Sequence, residues 1–125
     1  MAKTLNLLFA QPPAGVSDQE FNEWYNAHIE EIVTIPGWVA AQRFRLEASE
    51  DGTVPFGYLT VYELTGTFEE GMKAMEDASL SNYEQYLEYK KTHPDPPIPE
   101  WFTQIKFEWW PGVAVSERVI QTPAG

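Results

Sequence analysis

The sequence predicts an α+β fold: one antiparallel sheet of four strands with the helices packed on one face, in the order strand, helix, strand, strand, helix, strand. Three observations predict it. Apolar residues recur with period two in some segments and with the helical period in others. Ser or Thr stands three residues before Glu at three places, the spacing of a capping box that opens a helix. Pro-Gly pairs and a proline cluster separate these segments. The 125 residues suffice for a single core without staples, and we expect one domain over residues 1–112 with a tail over 113–125.

The first strand is expected over Thr4 to Ala10, rich in Leu and Phe with Asn6 interrupting it, and it stops at Gln11-Pro12-Pro13-Ala14-Gly15. Ser17 with Glu20 then caps a helix whose apolar stripe is Phe21, Trp24, Tyr25, His28, Ile32 and Ile35, while Asp18, Glu23, Glu30 and Glu31 fall elsewhere on the wheel. Pro36-Gly37 should end this helix after Ile35, because proline disfavours helical geometry in the residue before it. From Trp38 to Glu47 the period is two, with Trp38, Ala40, Gln42, Phe44 and Leu46 on one face and Val39, Ala41, Arg43, Arg45 and Glu47 on the other. A polar loop over Ala48 to Pro55 joins this strand to a third, Phe56 to Thr65, with Tyr58, Thr60 and Tyr62 on one face. Thr67 with Glu70 opens a helix to about Ala78, and Ser81 with Glu84 opens another before Tyr86, Leu87 and Tyr89. His93 to Pro99 holds four prolines and must be an extended surface loop or arm. The last strand is expected over Trp101 to Trp110, closed by Pro111-Gly112.

This order is the split βαβ, ferredoxin-like arrangement. Its strands carry apolar residues on both faces, including Trp109 and Trp110 back to back, so a homodimer packed sheet to sheet is expected to cover the face that the helices leave bare.

Charge and composition narrow the function. A net charge of −11 repels phosphate backbones and anionic lipid headgroups, so neither nucleic acid nor membrane is an expected partner. No apolar run approaches the roughly 18 residues of a membrane span, and the first residues have no signal-peptide pattern. With no cysteine, disulfides and thiol chemistry are excluded, and a cytoplasmic location is expected. The sequence lacks a glycine-rich phosphate loop, a Ser-His-Asp order and paired carboxylates at glycosidase spacing. No second histidine lies at ligand spacing to His28, and His93 sits in the proline loop, so no metal site is expected.

His28 is the one side chain suited to moving protons at neutral pH, and it lies in a regular element beside Tyr25 and Ile32. The alternative is a core histidine satisfied by a carbonyl or a tyrosine. Tyr25, Tyr58 and Tyr62 could donate to a developing enolate or carbonyl oxygen, or simply pack. Arg43 and Arg45 share a strand face and could hold a substrate carboxylate or form ion pairs. Asn6, a polar amide in an apolar strand, must find partners if it is buried.

The segment Phe21-Asn22-Glu23-Trp24-Tyr25-Asn26-Ala27-His28 through Ile35-Pro36-Gly37-Trp38 resembles the first helix and second strand of the dimeric α+β barrel superfamily, in particular its EthD-like branch. There an aromatic residue and a tyrosine precede a helix histidine, and a Pro-Gly pair leads into the strand; many members place proline two residues after the histidine, where this chain has Glu30. The resemblance implies a pocket between helices and sheet with His28 near its mouth. From the residues together with the resemblance we expect a small hydrophobic or aromatic substrate, and a cofactor-independent isomerase, cyclase, lyase or decarboxylase with His28, Tyr25 and Tyr62 catalytic and Asn6, Trp24, Trp38, Arg43 and Tyr58 binding the substrate. The superfamily also includes haem proteins, binding proteins and cofactor-independent monooxygenases in which an asparagine and a tryptophan assist oxygen chemistry, a role open to Asn6 with Trp24 or Trp38.

Overall fold

Thr4, Asn6, Leu8 and Ala10 alternate with less buried neighbours along the first strand, β1 (Thr4–Gln11), and set the plane on which the rest of the chain packs. The computed structural model describes residues 3–47 and 56–123, so the loop expected over Ala48 to Pro55 lies outside the described residues. After β1 come α1 (Asp18–Ile32), β2 (Trp38–Arg45), β3 (Tyr58–Leu64), α2 (Phe68–Asp77), α3 (Tyr83–Lys90), a 3₁₀ turn at Phe102–Gln104 and β4 (Lys106–Val113). The sheet is antiparallel in the order β2-β3-β1-β4, the ferredoxin-like topology expected. Three helices accompany it.

The register shows which residues share a face. Asn6 lies opposite Tyr62 on one side and Pro111 on the other, and Leu8 opposite Thr60 and Trp109. Thr4, Asn6, Leu8 and Ala10 of β1 and Tyr58, Thr60, Tyr62 and Leu64 of β3 are all buried beneath the helices, with Phe21, Tyr25, Ile32 and Ile35 above them. The reverse face carries Leu7, Phe9 and Trp110, and nothing among the described residues covers it: Trp110 is 55% exposed and Phe44 42%.

Four expectations are corrected. The first helix ends at Ile32, not Ile35, because Pro36 excludes helical geometry just before it; the chain leaves through single turns, Thr34 N–H to Glu31 O and Ile35 N–H to Ile32 O, and reverses at Gly37, whose φ is +89°. In β2 the register slips between Trp38 and Ala40, a bulge that strict alternation does not anticipate. It puts Trp38, opposite Leu64, on the helix side together with Arg43, opposite Thr60, whereas unbroken alternation separates them. The third helix is capped by Asn82, whose side chain accepts from Gln85 N–H; Ser81 instead bonds the Gln85 side chain. The last strand starts at Lys106 and not Trp101, since the Trp101 indole is held over α1 by a 2.9 Å bond to Glu20 while its backbone enters the 3₁₀ turn. It continues through Pro111 and Gly112 to Val113; β4 is an edge strand, where a residue without N–H is tolerated.

The Thr67-Glu70 capping box forms in both directions, and α2 stops at a left-handed residue, Ser79 (φ 62°), with Leu80 N–H bonded to Met75 O. This stop separates α2 from α3 and lets α3 lie beside α1. The proline segment is anchored by Trp24, whose indole N–H donates to Pro97 O at 2.8 Å.

Candidate functional site

Helix periodicity places Tyr25, His28 and Ile32 on successive turns of α1, all facing the sheet. Between them, α2, α3 and β4 lies a cavity of about 280 Å³. Its wall includes Tyr25, His28, Trp38, Tyr62, Tyr86 and Trp109. A volume of this size suits a mono- or bicyclic molecule. Among the described residues no three His, Asp or Glu side chains converge as metal ligands.

His28 is held from behind. Its Nδ1 lies 3.2 Å from Glu31 Oε1 and 3.1 Å from the Tyr86 hydroxyl, and that hydroxyl donates to the same carboxylate oxygen at 2.8 Å. Lys90 donates to the other carboxylate oxygen, Oε2. Since the single Tyr86 proton is used on Glu31 and an ionised carboxylate only accepts, the proton at Nδ1 belongs to the imidazole. Nε2 is then the unprotonated nitrogen, and it has no hydrogen-bond partner among the described residues. Trp24 stacks on the ring at 4.7 Å and 12°, which fixes the imidazole plane.

The protonation states follow from burial and these bonds. The His28 side chain is 14% exposed, and burial pulls its pKa below that of a free histidine against the opposing effect of Glu31, so the ring is neutral at neutral pH. Burial would raise Glu31, but hydrogen bonds from His28, Lys90 and Tyr86 outweigh it and hold the carboxyl below the usual carboxylate range. Burial pushes the Tyr25 and Tyr62 phenols up, with the Arg43 cation opposing, and both stay protonated. Neither of these hydroxyls makes a hydrogen bond to a described residue. The cavity therefore presents one basic nitrogen and the Tyr25 and Tyr62 O–H donors in a largely apolar wall that also includes Ser81, Asn82 and Tyr86.

Of the residues singled out from the sequence, His28, Tyr25, Tyr62 and Trp38 meet at this cavity, and Asn6, Trp24, Arg43 and Tyr58 do not line it. Arg43 lies behind Tyr25, its guanidinium 4.6 Å from that ring and 5.2 Å from Tyr58, with one N–H on Asn26 Oδ1. Its Nε and Nη2 are buried and have no hydrogen-bond partner among the described residues. The Tyr58 hydroxyl accepts from Asn22, and Arg45 is exposed. Asn6 is fully buried, and neither atom of its amide has a hydrogen-bond partner among the described residues.

Glu31, Tyr86 and Lys90 were not found from the sequence. Glu31 reads as a solvent-facing acid on a helical wheel, yet its side chain is 7% exposed. The available signals were the three-residue step from His28 to Glu31 and the four-residue step from Tyr86 to Lys90, which mark one face of each helix.

Fold and site together define an α+β protein with a carboxylate-backed histidine at an aromatic cavity. No family model and no curated protein matches the chain. Among solved structures it is similar to an ethyl tert-butyl ether D (EthD) family protein from Bacillus halodurans C-125, at 18% identity and a TM-score of 0.52, over 90% of this chain and 97% of that one. A candidate monooxygenase from Shewanella loihica PV-4 aligns over 98% of this chain and 99% of its own at 15% identity and a TM-score of 0.43, from which nothing is inferred. The chain thus has the ferredoxin-like fold of an EthD family protein.

Proposed function

We propose that this protein is a cofactor-independent enzyme that moves a proton on a small aromatic or polyketide-like carbonyl compound, in an isomerisation, cyclisation, elimination or decarboxylation. The observation that carries this reading is the free Nε2 of a histidine whose Nδ1 is fixed by a buried carboxylate, at the wall of a partly open aromatic cavity. His28 Nε2 takes a proton from carbon next to a carbonyl or from a phenol, and Glu31 stabilises the imidazolium that forms. Tyr25 and Tyr62 donate to the oxygen on which charge develops. Asn6, Trp24, Trp38, Arg43 and Tyr58 support substrate binding: Trp38 in the wall, the others from behind it. The reverse face, largely apolar around Leu7, Phe9 and Trp110 with Glu108 among them, supports a homodimer packed sheet to sheet, and the absence of any membrane-length helix among the described residues suits a cytoplasmic location.

The test is His28→Ala on a panel of cyclic ketones and phenols. Loss of a general acid/base lowers the rate by roughly 10²- to 10⁴-fold with fold and dimer intact. A variant that melts several degrees lower but turns over normally assigns His28 to the core, and oxygen consumed in step with substrate replaces this chemistry with oxygenation. Light scattering at micromolar concentration should give about twice the 14.3 kDa chain mass; a stable monomer removes the sheet-to-sheet dimer.

A further inference from the structure

A buried carboxyl is not automatically a carboxylate, and the tautomer of His28 depends on which it is. Glu31 has three donors: His28 Nδ1–H and the Tyr86 hydroxyl on Oε1, and Lys90 on Oε2. Lys90 brings the only full positive charge among them, from the last turn of α3, with its own side chain 8% exposed and its ammonium 5.4 Å from the Tyr86 ring centre. The groups packed around the cluster are Tyr25 on α1, Tyr62 on β3, and Tyr86 and Tyr89 on α3, all phenols that stay neutral and supply no replacement charge.

We propose that Lys90 is a positioning residue for His28: by keeping Glu31 ionised it selects the Nδ1–H tautomer and leaves the lone pair on Nε2, facing the cavity. Without the ammonium, a carboxyl as buried as Glu31 holds a proton more readily. A protonated Glu31 then donates to Nδ1, and the ring proton moves to Nε2. That inverted tautomer offers the cavity a donor where it now offers a base. Lys90 does not itself line the cavity, and its hydrogen bond to the site is the one to Glu31. The inference rests on the reading of His28 as a base, but its consequence is visible in the resting protein.

The test is ring-nitrogen NMR of the uniformly ¹⁵N-labelled full chain at about pH 8, above the ordinary histidine pKa, with exposed His93 as the internal reference. Wild type should show Nδ1 as the protonated nitrogen of His28. Lys90→Met should lose this form as the major tautomer, and Lys90→Arg, which restores a cation, should recover it. If Lys90→Met does not fold, Lys90→Gln keeps a donor of similar reach without the charge and should likewise lose the Nδ1–H form. A wild-type signature with the proton on Nε2 overturns the proposal, and so does an unchanged signature in folded Lys90→Met or Lys90→Gln. Either result stands apart from the fate of the catalytic reading, which His28→Ala decides by turnover alone.

Discussion

Replacing Asn6 by valine should stabilise the protein while impairing its activity. Asn6 lies within β1, flanked by β3 and β4, with no exposed surface and no hydrogen-bond partner for either amide atom among the described residues. A buried polar group without a partner costs roughly 1 to 3 kcal/mol. Valine removes that cost, has the shape a central strand favours, and adds about one methyl group of volume, which recovers part of the gain as strain. We expect a net stabilisation of about 0.5 to 2 kcal/mol. For a domain of this size that raises Tm by roughly 2 to 8 °C, read by circular dichroism at fixed protein concentration. Turnover should fall if the amide supports substrate binding. A Tm several degrees lower in Asn6→Val would refute the reasoning, because it would mean that the amide is hydrogen-bonded in solution and contributes to the fold.

Stability should also decline as pH is lowered from about 7.5 to 5.5. His28 has a folded pKa below its unfolded value, so the unfolded chain takes up a proton first and gains population. Glu31, likewise depressed, adds a second decline below the ordinary carboxylate pKa. His28→Gln should flatten the upper limb of the Tm-against-pH curve, and an unchanged slope would place its origin elsewhere. Gly71→Ala should destabilise by about 1 to 3 kcal/mol, measured by urea denaturation, since a Cβ at Gly71 runs into the Leu64 side chain and sits 3.4 Å from Trp38 Nε1; a neutral result would show that Leu64 can move aside.

The sequence made the order of elements legible because each depends on local signals: the Thr67-Glu70 box, the Pro36-Gly37 stop and the Tyr58-Thr60-Tyr62 alternation all act within a few residues. His28, Tyr25 and Tyr62 could be picked out for the same reason, by residue type on an apolar face. What escaped depends on partners distant in sequence. The slip after Trp38 leaves no trace in the alternation of β2, and Trp101 leaves the expected strand because Glu20 on another element binds its indole. Glu31 escaped most completely. A lone acid on a helix reads as surface, and it is Lys90 and Tyr86, more than fifty residues away, that join His28 in making its burial tolerable.

The components of the site divide by origin. The groups that fix the histidine, Glu31, Tyr86 and Lys90, come from α1 and α3, whereas much of the opposite wall, Leu8, Trp38, Tyr62, Phe107 and Trp109, comes from the sheet. Mutational drift in the strands can therefore reshape what the cavity accepts while the machinery for handling protons stays intact, so a new ligand is reachable by single substitutions in the wall. Phe107 and Trp109, on an edge strand, are the most exposed apolar residues of the wall, at 38% and 44%. They are the positions from which a directed-evolution library should begin.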